Sequence, residues 1–332
     1  MTGIPVRAAI LLAGSLLLAQ CASLGRRLTI AYGAVAAQVA QEKVQIELNR
    51  SFIETYRNRV TIDATFTVDA IAERPNPAMF DGDYHFAGRA PEIGLRLVGE
   101  ILNAASEDSA VDLIRQSREA ERPVRLTGAW RLWPEHAFGA REEQGRQSRP
   151  IPNANPDHVF EIHPVTRAGR IKLLHTLRPV EGYLPGSPGR TFGIYQNAEY
   201  VLQIKPETVI LTLTTGLYND VHFLMQPTGD KPLVVRDGRF VQAAVLDLEG
   251  NRLVERIRMV FTRDTPPERA VRSLKPGARL HVWGKPRVSL DQISRIIRQS
   301  STNPALLEGR LPYEMLILGV YPESTRVAYA PR

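Results

Sequence analysis

Between Val60 and Ala70 the chain alternates strictly, with Val60, Ile62, Ala64, Phe66, Val68 and Ala70 set against Thr61, Asp63, Thr65, Thr67 and Asp69. A period of two predicts a strand with one buried face. Further strands are predicted at 84–89, 93–102, 124–133 and 158–165, the last continued at 170–177. Residues 109–121 put Ala110, Val111 and Ile114 on one side and predict a helix ahead of the fourth strand. The stretch 139–157 is polar, with little to bury. Three strands, a helix and two strands is the order of an OB-fold, a small closed barrel.

The second half repeats the theme. Strands are predicted at 208–215, 220–226, 240–248 and 253–261, the last two joined by an Asp-Leu-Glu-Gly-Asn turn. A helix at 267–273, a strand at 279–284, a helix at 290–299 and a strand at 313–321 follow. Ala110-Val111 with Arg125-Leu126 is echoed by Ala270-Val271 with Arg279-Leu280, and 155–160 lines up with 311–316. A spacing near 155 residues indicates a tandem duplication of domains, with two unrelated barrels as the other reading. The fold class expected is mainly β: two tandem OB-like β-barrel domains, each with its own core, preceded by a signal peptide and an N-terminal helix. The expected divisions are a signal peptide (1–20), an anchor-proximal helix or linker (21–58), a first OB-like barrel (59–179), a Gly/Pro-rich linker (180–198) and a second OB-like barrel (199–325). In 34–58, Val44, Leu48, Phe52 and Tyr56 recur every four residues, a helical stripe; Val44, Ile46 and Leu48 also alternate as in a strand.

The ends change the setting. Arg7 is followed by an apolar run from Ala8 to Ala19, the form of a signal peptide. Twelve helical residues rise about 18 Å against a hydrocarbon core of about 30 Å, short for a permanent span; an uncleaved anchor is the alternative. Cys21 is the single cysteine, and Leu18-Ala19-Gln20-Cys21 resembles a bacterial lipobox, in which the thiol is diacylated. The expectation is an exported, periplasmic protein of the cell envelope, tethered to the membrane through a lipid on Cys21; an ordinary cysteine near a cleavage site is the other reading. Without Cys21 the folded part has no thiol for a disulfide or a thiolate metal site. From residue 180 onward 20 basic side chains face 15 acidic ones, against 21 and 20 in 21–179. So small an excess fits an ordinary solvated surface, and nucleic acid is not the expected partner; an envelope protein or polymer is.

Candidate chemistry gathers in the first half. Asp81-Gly82-Asp83-Tyr84-His85, Glu135-His136 and His158-Val159-Phe160-Glu161-Ile162-His163 bring histidines beside carboxylates. The pair DGDYH and EIHPV, over about residues 60–177, resembles uncharacterised exported bacterial OB-like proteins, which implies a secreted barrel with no agreed activity; Glu100 fills the acidic position of the intervening strand. On a strand Glu161 and His163 share a face, with His158 on the opposite one. Asp81, Asp83, His85, Glu135, His136, Glu161 and His163 are therefore the candidate polar cluster. It would serve as a divalent-metal site, as the acid/base pair of a metal-dependent hydrolase, or as a structural tie, the last being favoured. In the 155–160/311–316 alignment Glu161 and His163 become Ile317 and Gly319, so the barrel itself is not expected to need them. Arg252, Arg256 and Arg258 share a strand face and form a candidate anion-binding surface. The function expected is a binding or scaffolding module of unknown ligand, with the hydrolase as its rival.

Overall fold

The computed structural model describes residues 43–137, 141–146, 149–275, 277–300 and 306–322. Cys21, the signal segment and the beginning of the expected 34–58 helix lie outside the described residues. The chain starts with β1 (Lys43–Asn49) and α1 (Arg50–Tyr56). It continues through β2 (Thr61–Ile71), β3 (Tyr84–Arg89), β4 (Leu97–Ile101), α2 (Asp108–Glu119) and β5 (Val124–Leu132). Next come β6 (Arg141–Glu143), β7 (Phe160–Ala168), β8 (Ile171–Lys172), α3 (Pro188–Asn197), β9 (Glu199–Ile204) and β10 (Thr208–Thr214). The last part holds β11 (Val221–Pro227), β12 (Leu233–Val235), β13 (Gly238–Leu246), β14 (Arg252–Thr262), α4 (Pro266–Arg272), β15 (Leu280–Val288), α5 (Leu290–Gln299), β16 (Leu306–Arg310) and β17 (Tyr313–Val320).

Two closed five-stranded barrels account for most of these strands. In the first, β4, β3, β2, β5 and β7 pair in that order, and a parallel β4–β7 ladder closes the ring. In the second, β11, β15, β17, β14 and β13 pair likewise, closed by β11–β13 and containing the parallel pair β14–β17. Both carry a helix between the third and fourth strands, the OB-fold order. Closure removes the open edges that a five-stranded sheet would otherwise expose. In β2, Ile62, Ala64 and Phe66 face inward and are fully buried, as the alternation requires.

The long insertions between the fourth and fifth strands of both barrels supply strands to a third sheet, ordered β16-β9-β10-β1-β6. This corrects the expected helix over 34–58. Val44, Ile46 and Leu48 are buried along β1, which pairs antiparallel with β10 from Lys43↔Thr214 to Asn49↔Thr208. A full-length partner satisfies the backbone and one apolar face together, so alternation prevails over the four-residue stripe. Only Phe52 and Ile53 of that stretch are buried from a helix, α1. Residues 180–198, expected as a linker, contain α3, with Pro188 in its first turn and Phe192 and Tyr195 buried. Proline's fixed φ suits a helix start, so the Gly/Pro content marks a helix boundary. β9 and β10, expected in the second barrel, belong to the third sheet.

The barrels do not keep separate cores. Val60, Leu102, Ala129, Leu177 and Val180 pack against Phe240, Val260, Trp283, Leu316 and Leu318 in one cluster, and the described residues form one compact unit. Among the described residues no helix is long and apolar enough to cross a membrane.

Candidate functional site

The sequence-predicted cluster assembles around His163 on β7. Its Nε2 lies 3.2 Å from Asp83 Oδ2, and its Nδ1 lies 2.5 Å from Glu100 Oε2 and 3.5 Å from Glu161 Oε2. The ring is fully buried, and neither nitrogen has the in-line geometry of a hydrogen bond, so charge rather than alignment holds it. Burial works against the imidazolium, but Glu100 and Asp83 raise the His163 pKa well above the ordinary histidine value. Asp83 is pushed up to about 6 by burial, with His163 opposing. Glu100 and Glu161 are held below the carboxylate range against the cost of burial, by His163 and His85 for the first and chiefly by Arg131 for the second. His85 reaches the group through Glu100 at 3.5 Å. Asp81 does not reach it; its Oδ1 accepts from the Asp83 amide and from Asn76 Nδ2, shaping the turn that presents Asp83.

A second tier sits beside the first. Arg131 on β5 donates from Nη1 to both oxygens of Glu161, at 2.8 and 2.9 Å, and from Nη2 to Glu135 at 2.8 Å. His136 pairs with Glu135 at 3.3 Å and stacks on His158, with centroids 5.0 Å apart. His158 Nε2 lies 3.1 Å from Glu161 Oε1. This corrects the opposite-face placement of His158: β7 begins only at Phe160, so His158 precedes the strand and escapes its alternation.

Two triplets bring potential ligand atoms within 4.8 Å of one another: Asp83, Glu100 and His163, and His136, His158 and Glu161. Neither suits a cation. In the first the imidazole itself fills the space between the carboxylates. In the second the carboxylate is already engaged by the Arg131 guanidinium, whose charge repels a metal. With Asp83, Glu100, Glu161 and His163 sealed at 5% exposure or less, a substrate has no approach to them either. The arrangement ties β3, β4, β5 and β7 together by charge.

The tie has a counterpart in the second barrel. Arg287 on β15 donates to Glu314 Oε1 at 2.8 Å, and strand register sets Arg287 opposite Glu314 as it sets Arg131 opposite Glu161. The counterpart of Glu161 is thus Glu314, three positions earlier than the Ile317 of the sequence alignment, and the barrel does keep this carboxylate. Each arginine also crosses to the other barrel: Arg131 Nε donates to Pro286 O and Arg287 Nη1 to Trp130 O, both at 3.0 Å. Arg287 lies over the Trp130 ring at 3.6 Å. The exchange is reciprocal, as at a two-fold interface. Burial pushes Arg287 down to about 10, with Glu314 opposing; Arg131, with Glu161 and Glu135 against the cost of burial, is raised.

The open chemistry lies elsewhere. A groove of about 800 Å³ on the second barrel runs between β14, α5 and the segment before β17, with Gln242 of β13 in its wall. Of the candidate anion-binding arginines, Arg256 is exposed within it. Arg258 is buried at its base, over the Phe240 ring at 3.5 Å and 3.5 Å from Glu314. Arg252 is exposed and pairs with Glu255 at 2.9 Å.

No family model and no curated protein matches the chain. Among solved structures it is similar to the single-stranded DNA binding protein from Thermus aquaticus. The wild-type structure gives 10% identity and a TM-score of 0.21 over 82% of this chain and 95% of that one. A deletion mutant gives 10% and 0.20 over 80% and 97%. The OB character of this chain rests on its own strand order.

Sequence reading missed Arg131, Arg287 and Glu314. A usable signal was present: Gly128-Ala129-Trp130-Arg131 recurs as Gly284-Lys285-Pro286-Arg287, both pairing with the fifth strand. Arg295, which lines the groove, lay in a segment predicted as a helix and was not singled out.

Proposed function

We propose that the chain is an exported, lipid-anchored binding or scaffolding module of the cell envelope, with its ligand face in the groove of the second barrel. One observation carries the reading: the Asp83, Glu100, Glu161 and His163 group is sealed inside the first barrel, while a groove of about 800 Å³ lies on the second and third strands and the fourth–fifth insertion of the second barrel. Those strands and loops are where OB barrels present ligands. The Arg131/Arg287 exchange holds the barrels as one rigid support. The lipobox-like Leu18-Ala19-Gln20-Cys21 supports export and acylation.

The test mixes the full chain in detergent with purified envelope polymers and follows thermal unfolding, since a ligand that binds only the native state raises the midpoint. A polymer that stabilises the wild type and not a Gln242→Ala, Gln292→Ala variant supports the reading. Ester or phosphodiester hydrolysis that disappears with His158→Asn would overturn it in favour of a hydrolase. Labelled palmitate is expected in the wild type and absent in Cys21→Ser; label retained in the variant refutes the anchor.

A further inference from the structure

The groove has an unusual charge. Its walls carry Arg256, Arg258, Arg295 and Arg310. An adjoining hollow shares Gln242, Arg258, Asp291 and Arg295 with it and adds Arg57, Lys231 and Arg298. Seven cations therefore line the two adjoining hollows, with Asp291 as the one carboxylate among the lining residues. Glu314 lies beneath Arg258, and Glu54, Asp230 and Glu199 stand at the rim, so the face keeps an excess of two positive charges when these are counted. Some of these arginines have rim partners: Arg256 with Asp230 at 3.3 Å, Arg310 with Glu199 at 3.1 Å and Arg298 with Glu54 at 3.6 Å. Those pairs are solvent-exposed and so worth about 0–1 kcal/mol, which an incoming anion replaces at little cost.

The remaining lining decides which anion. Gln196, Gln242, Gln292 and Gln299 offer amides that both donate and accept, the complement of hydroxyl groups. Among the described lining residues no aromatic face is open: Tyr313 turns toward Trp133 and Tyr195, and Arg258 covers Phe240. Single-stranded nucleic acid gains much of its sequence-independent affinity by stacking bases on such faces, and that term is missing here. Two adjoining hollows that share Gln242, Arg258, Asp291 and Arg295 suit a polymeric ligand. Resting on the reading of this groove as the ligand face, we propose that its occupant is an acidic glycan, a hydroxyl-rich polymer bearing repeated carboxylates or phosphates. Guanidinium forks meet the anions bidentately, and the glutamines meet the hydroxyls.

The experiment uses the full-length chain and fluorescently labelled polygalacturonate, followed by anisotropy at low and high salt. Binding is expected at low salt and should weaken steeply at high salt through screening. Arg256→Gln with Arg295→Gln, both exposed, should weaken it at least tenfold with an unchanged melting temperature. Arg125→Gln, exposed on the first barrel, should leave it unaltered. Labelled oligothymidylate bound as tightly through the same arginines overturns the glycan in favour of nucleic acid. Neutral dextran bound in the groove without salt dependence overturns the anionic ligand while the binding module stands. No binding to any of the three overturns both readings.

Discussion

At the residue scale the first barrel buries its ionised groups in a mutually compensating set. Arg131 is the hub, facing Glu161 and Glu135 within its barrel and Pro286 across the interface. Arg131→Met would leave Glu161 buried without its main partner, a loss of about 3–5 kcal/mol. Arg131→Met combined with Glu161→Leu should recover much of it, which a double-mutant cycle by urea unfolding would show; additive losses would deny the coupling. His222 and His281 behave differently. Their nitrogens are 3.1 Å apart, and burial lowers both to about 4, with mutual repulsion adding at His222. A depressed histidine favours the neutral native form, so its stabilisation is complete above the unfolded value near 6.5 and is lost as pH falls toward 4. At about 1.4 kcal/mol per unit, discounted for the partial exposure of His281, the pair should cost on the order of 2 kcal/mol between about pH 6.5 and about pH 4.5. His281→Gln should flatten that slope in denaturant titrations; an unchanged slope would place the acid sensitivity elsewhere.

At the scale of elements, strands announce themselves and their partners do not. The alternation of β2 was plain because one face meets the core and the other meets water. β1 showed both a helical and a strand period, and its state was decided by β10, more than 150 residues away, which no local pattern records. The Glu161/His163 face was legible for the same reason that β2 was, whereas His158 was misplaced because the strand start was unknown. The repeat near 155 residues was visible, but 27 positions separate Arg287 from Glu314 against 30 between Arg131 and Glu161, and this shorter insertion hides the true equivalence of Glu161 and Glu314. Gly128 is required at the register bulge between it and Trp130. A Cβ there would lie 2.3 Å from Ile162 Cγ2 and 2.6 Å from Pro164 O. Backbone on one side leaves no room to yield, so Gly128→Ala should destabilise by about 1–3 kcal/mol, read as a lower urea midpoint; a neutral substitution would show that the strand can shift.

At the scale of the molecule, two OB barrels share a core and a reciprocal arginine exchange, and a third sheet gathers strands from both insertions. The sequence displayed the barrels and the polar cluster, and it could not display the groove, whose walls come from β13, β14, α5 and the segment before β17. In this account the sealed cluster is a structural tie, and binding belongs to the groove. Elemental analysis of full-length protein purified without chelator addresses this most directly. The account expects no stoichiometric divalent metal, because the His163 ring occupies the space between its carboxylates and Arg131 holds Glu161. One equivalent of metal per chain, lost in a His158→Asn variant, would contradict it.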